Sequence, residues 1–250
     1  MEKMLEINHL MVFYENAIAL NDLGLEVYPG EILAVLGSNG AGKTCLMDAV
    51  SGLLFDMKKK EERKAGERIT IYGEIKFEGE DILNLKPSER VKRGIVLVRE
   101  RHPVFPDSDV YENLKIGGYL RRRDEIEERM EFVMKLFPPL VKLRKRKGGF
   151  LSGGEQQMLA IGMALVAKPR LLLMDEPLLG LSPLFQENLA EAMVNIHREG
   201  VTVFLTEQFA RPILPIIHRG YVVENGMLTF AGTRQELADN PDVMGGYIGT

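Results

Sequence analysis

Short unbroken apolar runs alternate with stretches of helical spacing along most of this chain. Ile32-Leu33-Ala34-Val35-Leu36 is apolar throughout and of strand length, the pattern of a strand buried on both faces. Residues 95–98, 171–174 and 201–205 repeat that pattern. Residues 4–13 alternate loosely and predict an edge strand, residues 25–27 predict a short strand, and residues 69–77 predict a strand interrupted at Gly73. Leu46, Ala49, Val50 and Leu53 sit at helical spacing after residue 43, so residues 43–52 predict a helix. Residues 109–167 are mostly helical in pattern, with Pro138-Pro139 ending one helix, and a helix of about 15 residues separates the last two buried strands. Residues 221–230 read as a hairpin with Asn225-Gly226 at its tip. Strands alternating with helices imply an α/β fold with a mostly parallel sheet covered on both faces.

Charge interrupts this pattern in three places. Residues 56–68, with Lys58-Lys59-Lys60, are poor in apolar side chains and predict a surface loop or frayed helix. Arg121-Arg122-Arg123 followed by Asp124 and Glu125 predicts an exposed helix face with opposite charges in reach. Residues 143–149 form a basic connector. The net charge of the 250 residues is only −4, so no overall basic field points to nucleic acid. No apolar run approaches the roughly 20 residues of a membrane span, and Met1-Glu2-Lys3-Met4 has no export-signal pattern. Cys45, the single cysteine, fits a reducing compartment, and the expected location is cytoplasmic, with any membrane role exerted through a partner. His102, His197 and His218 lack metal-ligand spacing and read as surface or loop residues.

Three segments carry chemistry. Gly37-Ser38-Asn39-Gly40-Ala41-Gly42-Lys43-Thr44 matches the phosphate-binding loop pattern and follows a predicted strand and opens a predicted helix. Its glycines let successive N–H groups face a phosphate, Lys43 adds positive charge, and Thr44 offers a hydroxyl to Mg²⁺. Residues 171–174 end in Asp175, a carboxylate at a strand tip of the kind that supports Mg²⁺ in phosphate-loop ATPases. Strand alternation is expected to aim Glu176 elsewhere, toward the γ-phosphate and its attacking water. Leu151-Ser152-Gly153-Gly154-Glu155-Gln156-Gln157 places Ser152 at a helix start whose free N–H groups face an anion, and it is also a helix cap of the Ser-x-x-Glu type.

In this order the three segments resemble the ATP-binding subunit of an ABC transporter, over nearly the whole chain. Within that family the chain looks most like the shorter ATPase of branched-chain amino-acid uptake. Residues 98–106 resemble that type's Val-Pro-Glu-Gly-Arg-Arg-x-Phe-Pro, residues 206–210 its Val-Glu-Gln-Asn-Ala, and residues 219–226 and 247–249 its closing segment. Arg99, Arg101, Pro103, Phe209 and Cys45 depart from the pattern.

The resemblance implies the ABC ATPase fold, with an antiparallel β edge and an α-helical subdomain. The expected division is a nucleotide-binding core at 1–98 and 168–250 and a helical subdomain at 99–167. It implies that ATP is held by residues 37–45 through Cys45, with Tyr14 stacking on adenine. Thr44, Asp175 and Glu100 hold Mg²⁺; Glu176 positions water, and Gln208 orients the γ-phosphate where most relatives use His. Ser152, Gly153, Gly154 and Glu155 complete the site of a second ATPase subunit. Implied partners are membrane-spanning permease subunits, that second ATPase and, indirectly, an external solute-binding protein. The implied place is the inner face of the cell membrane and the solute a branched-chain amino acid, with urea or amides as alternatives.

Two rivals weigh less. A non-transport ABC ATPase usually carries two ATPase domains or a long coiled coil, and neither pattern is present. A phosphate-loop kinase or GTPase has no need of residues 151–157.

Overall fold

The computed structural model describes residues 2–64, 68–101 and 104–248; expectations placed on Met1, residues 65–67, His102, Pro103 and Gly249 lie outside the described residues. The chain opens with strands β1 (Leu5–Tyr14), β2 (Ala17–Val27) and β3 (Ile32–Leu36), then helices α1 (Lys43–Ser51) and α2 (Leu53–Arg63). Next come β4 (Ile69–Phe77), the two-residue β5 (Glu80–Asp81), α3 (Pro87–Lys92) and β6 (Ile95–Val98). Four helices follow: α4 (Val110–Gly117), α5 (Arg123–Leu136), α6 (Pro138–Lys142) and α7 (Gly153–Val166). The chain then runs through β7 (Leu171–Asp175), α8 (Pro183–Arg198), β8 (Thr202–Glu207), the hairpin β9 (Arg219–Glu224) and β10 (Met227–Thr233), and α9 (Arg234–Asp239).

Two sheets result. The six-stranded sheet has the order β10-β9-β3-β8-β7-β6, parallel from β9 through β6 with β10 antiparallel at one edge. The four-stranded antiparallel sheet has the order β2-β1-β4-β5. The buried central strands divide their side chains between two cores, as a strand's period of two requires. Ile32, Ala34, Leu36, Leu172, Met174, Val203 and Leu205 join the core that includes α4, α7 and α8. Leu33, Val35, Leu171, Leu173 and Phe204 join the core shared with α1 and the antiparallel sheet. Each buried Leu there contributes about 1.5–3 kcal/mol, so the apolar runs hold the two layers together.

Several elements depart from expectation. β1 is an interior strand of its sheet, because β2 pairs along one side of it and β4 along the other, and β2 begins at Ala17, well upstream of residue 25. Gly73 does not break β4: its φ of 102° matches a register shift between Asn8 and Met11 of β1, where His9 has φ 50°. Residues 53–63 are helical, with Lys60–Asp56 and Lys59–Glu62 pairs at 2.8 Å supporting α2 despite its few apolar side chains. Pro138 closes α5 and at the same time opens α6, where its missing N–H costs nothing. Arg123 and Arg122 are exposed and paired with Glu127 at 3.2 Å and Asp124 at 3.0 Å, but Arg121 lies inward, donating to the Ala167 carbonyl at 2.7 Å. His197 is half-buried within α8 rather than on the surface or in a loop, its ring centroid 4.9 Å from that of His218, which is exposed in a loop as expected and whose Nδ1 accepts from the Ile32 N–H at 2.9 Å.

Candidate functional site

The glycine-rich loop is fixed by what flanks it. The Gly37 N–H donates to the Glu207 carbonyl at 3.2 Å, tying the loop's start to the end of β8. At its other end Gly42 has φ 105°, and a Cβ there would lie 2.7 Å from the Ala19 carbonyl oxygen, so only glycine fits. α1 starts immediately after, with no side chain capping its first N–H groups. Those free donors, with the positive end of the helix dipole, form a ready anion site.

Lys43 is buried, yet its ammonium is fully engaged. Nζ donates to the Gly37 carbonyl at 2.7 Å and the Ser38 carbonyl at 3.0 Å, and pairs with Glu176 Oε1 at 2.9 Å. Glu176 reaches it through a left-handed turn, φ 46°, rather than through strand alternation. The turn is held by Thr206, whose carbonyl and Oγ1 accept from the Glu176 N–H at 3.1 and 3.2 Å. The same Thr206 hydroxyl donates to Asp175 Oδ1 at 2.8 Å. One threonine thus keeps the two adjacent acids on different partners.

A cavity of about 380 Å³ lies against the loop. Asn39, Gly40, Gly42, Lys43, Thr44 and Cys45 form one wall. Glu100, Arg101, Glu176 and Leu179 complete its lining. The Glu100 carboxylate accepts from Arg101 Nε at 3.3 Å. Asp175, Tyr14 and Gln208 are not among the residues that line this cavity. Tyr14, half-buried at the end of β1, sits beside Cys45; burial foremost, then Cys45 and Asp48, raise its phenol. Burial likewise pushes the Cys45 thiol up to about 12. Ser152 and Gly153 are exposed at the start of α7 and are not on the wall of this cavity. Ser152 caps α7 reciprocally with Glu155: the Glu155 N–H donates to Ser152 Oγ at 3.4 Å and the Ser152 N–H to Glu155 Oε2 at 2.8 Å. Gly154 is buried beneath them against Phe185.

The donors suit Mg²⁺ by type: a hydroxyl and carboxylates are hard oxygen ligands. Among the described residues no three His, Cys, Asp or Glu groups cluster as a metal cage.

Three participants were not singled out from sequence. Thr206 is one. Glu207 is another: buried at the end of β8, its Oε1 accepts from the Leu178 N–H at 2.9 Å. Burial raises its pKa to about 8, with Glu176 adding to the effect. An acid closing an apolar strand was the available signal. The third is Asp48, one helical turn beyond Thr44, which had no local signal.

A strand, a glycine loop and a helix holding a buried lysine against a strand-tip acid define a nucleotide-phosphate-binding α/β protein. Residues 20–179 match the ABC transporter family, and the chain belongs to it; it is an ATPase of the ATP-binding cassette type. It is 39% identical to the high-affinity branched-chain amino acid transport ATP-binding protein BraG of Pseudomonas aeruginosa, over 98% of this chain and 100% of that one. It is 34% identical to the probable branched-chain amino acid transport ATP-binding protein LivF of Archaeoglobus fulgidus, over 95% of each. The lipopolysaccharide export system ATP-binding protein LptB of Escherichia coli (strain K12) is 31% identical over 98% of this chain and 97% of its own length. The structure aligns with the ADP conformation of MJ1267, an ATP-binding cassette of an ABC transporter, at a TM-score of 0.83 and 25% identity over the full length of both. Among the described residues no helix is long and apolar enough to cross a membrane.

Proposed function

We propose that this chain is the ATP-hydrolysing motor of an importer for branched-chain amino acids, acting from the inner face of the membrane through separate permease subunits. The observation that carries the reading is the match with BraG, end to end, at 39% identity. Residues 1–98 and 168–250 act as the nucleotide-binding core and residues 99–167 as the helical subdomain. A groove of about 550 Å³ beside α5, lined by Tyr111, Met130, Met134 and Val141, supports docking of a short permease helix there.

In this mechanism residues 37–45 cradle the phosphates and Tyr14 packs on the adenine. Thr44, Asp175 and Glu100 would hold Mg²⁺, which when bound would neutralise charge on the outer phosphates. The incoming γ-phosphate competes for Lys43. Drawing the ammonium away from Glu176 releases that carboxylate to orient water and accept its proton. Gln208 orients the γ-phosphate without carrying a charge of its own near neutral pH. Ser152, Gly153, Gly154 and Glu155, at a helix start away from their own cavity with Ser152 and Gly153 exposed, serve the ATP of a second ATPase subunit, a sister or a second copy. Shared contacts pull the two together, and loss of the γ-phosphate loosens them.

The test is ATP-dependent uptake of radiolabelled leucine by vesicles containing this chain, its sister ATPase and the permease subunits. Leucine uptake that is lost with Glu176→Gln supports the reading; uptake of urea or amides alone, or outward transport, overturns the solute or the direction. Glu176→Gln is also expected to bind ATP and to double in mass with MgATP in light scattering. Unimpaired steady-state hydrolysis by that variant would falsify the role given to Glu176.

A further inference from the structure

Asp48 is buried on α1 and costs free energy as an ion there unless it is paired. Its Oδ2 accepts from Arg99 Nη2 at 3.2 Å, while its Oδ1 is buried without a hydrogen-bond partner among the described residues. Burial raises the Asp48 pKa; Arg99 opposes that and Asp175 adds to it. Arg99 is the only cation paired with it among the described residues. The two side chains come from different parts of the fold. Asp48 lies four residues after Thr44, on the same face of α1. Arg99 follows β6 and precedes Glu100, and the chain turns sharply after them, with Arg101 at φ 68°. Glu100 and Thr44 both line the 380 Å³ cavity.

We propose that Arg99 is a positioning residue: its ion pair with Asp48 is a strut that sets the spacing between Glu100 and Thr44, and so tunes how the nucleotide site takes up Mg²⁺. The path runs from Thr44 along one helical turn to Asp48, across the pair to Arg99, and through one peptide unit to Glu100. The chain pattern that this segment resembles has proline at this position, where a ring restricts the backbone. Here an ionic tie supplies the restraint instead. The pair is half-exposed on the Arg99 side and buried on the Asp48 side, so it holds better than a surface pair while leaving Arg99 free to move when the segment moves.

The proposal rests on the nucleotide-binding reading above, and its test separates the two. The quantity to measure is the calorimetric affinity for a non-hydrolysable ATP analogue with and without Mg²⁺, and the ratio between them. Arg99→Gln is expected to cut that ratio by about three- to tenfold while leaving Mg²⁺-free affinity within about twofold. Arg99→Lys should restore most of the ratio. Asp48→Asn should give the same loss, and the double variant no more than either single one, as expected for partners in one pair. An unchanged ratio in Arg99→Gln, or losses that simply add, overturns the strut. An equal fall in Mg²⁺-free affinity also overturns it, because the pair would then only shape the phosphate loop. A wild-type chain that binds no analogue overturns the nucleotide reading, and the strut with it.

Discussion

The two ends of α1 each hold a buried cation, and the two are built differently. At the C-terminal end Arg90, fully buried, donates to the carbonyls of Ala49 at 2.6 Å, Val50 at 2.8 Å, Leu83 at 2.9 Å and Leu85 at 3.2 Å. Two of those carbonyls close the last turn of α1, where helix dipole and unmet acceptors favour a cation. Burial lowers its pKa to about 10, leaving it charged at neutral pH. At the N-terminal end Lys43 has two carbonyls and one carboxylate, and the carboxylate belongs to a side chain on a turn. Backbone acceptors cannot leave; a glutamate can. A buried charge satisfied only by backbone is a structural clamp, whereas one satisfied by a movable acid is poised to change partner.

The sharpest way to break this contrast is at the N-terminal end. Lys43→Ala should lower ATP affinity about a hundredfold by removing charge-assisted bonds to phosphate, read by calorimetry. It also leaves the largely buried Glu176 without its cation, so stability should fall too, and adding Glu176→Gln should restore stability but not binding. Arg90→Met should act in the opposite sense. Urea unfolding should show a loss of about 3–5 kcal/mol, because several buried carbonyls lose their donor. ATP affinity of the folded fraction should stay within about twofold, and a larger fall would collapse the distinction.

Glu207 offers a gentler probe on the side of the site behind Glu176. Its carboxyl has an ordinary value of 4.5 and is raised to about 8 in the fold, so the native state holds the proton more tightly than the unfolded chain. That stabilisation is complete below pH 4.5 and is lost as pH rises toward 8. Chemical unfolding of the nucleotide-free protein should therefore show stability declining across that window relative to Glu207→Gln. Equal slopes for the two proteins would mean that Glu207 is not held protonated. The smallest effect belongs to the exposed Arg123–Glu127 pair: Arg123→Ala should change unfolding free energy by less than about 0.5 kcal/mol.

Much of this was legible in the chain because the signals were local. The run 32–36 announces a strand by apolar continuity, and the glycines after it announce a loop by spacing. Where tertiary context decides, sequence reading stops short. Asn21-Asp22 leave residues 17–24 without a strand alternation, yet the pairing of Leu20 and Leu23 with β1 extends β2 through them. The neighbours of β1 depend on where β4 docks, some 60 residues on, which no local pattern encodes. In the site, Lys43, Thr44, Asp175 and Glu176 stood out by motif, and the structure puts Lys43 on Glu176. Thr206, Glu207, Asp48 and Arg99 did not, because each matters through a partner at least 29 residues away.

The tip of the β9–β10 hairpin also touches the phosphate loop. The Gly226 N–H donates to the Ala41 carbonyl at 2.9 Å, and the Gly226 carbonyl accepts from the Asn21 N–H at 2.9 Å. The loop is thus clasped by residues made nearly 200 positions later. A ribosome releasing this chain from its N-terminus has long finished the loop's glycines before it delivers their clasp. Nascent chains halted before β9 should therefore fail to retain ATP, and binding should appear only once the β9–β10 hairpin has emerged.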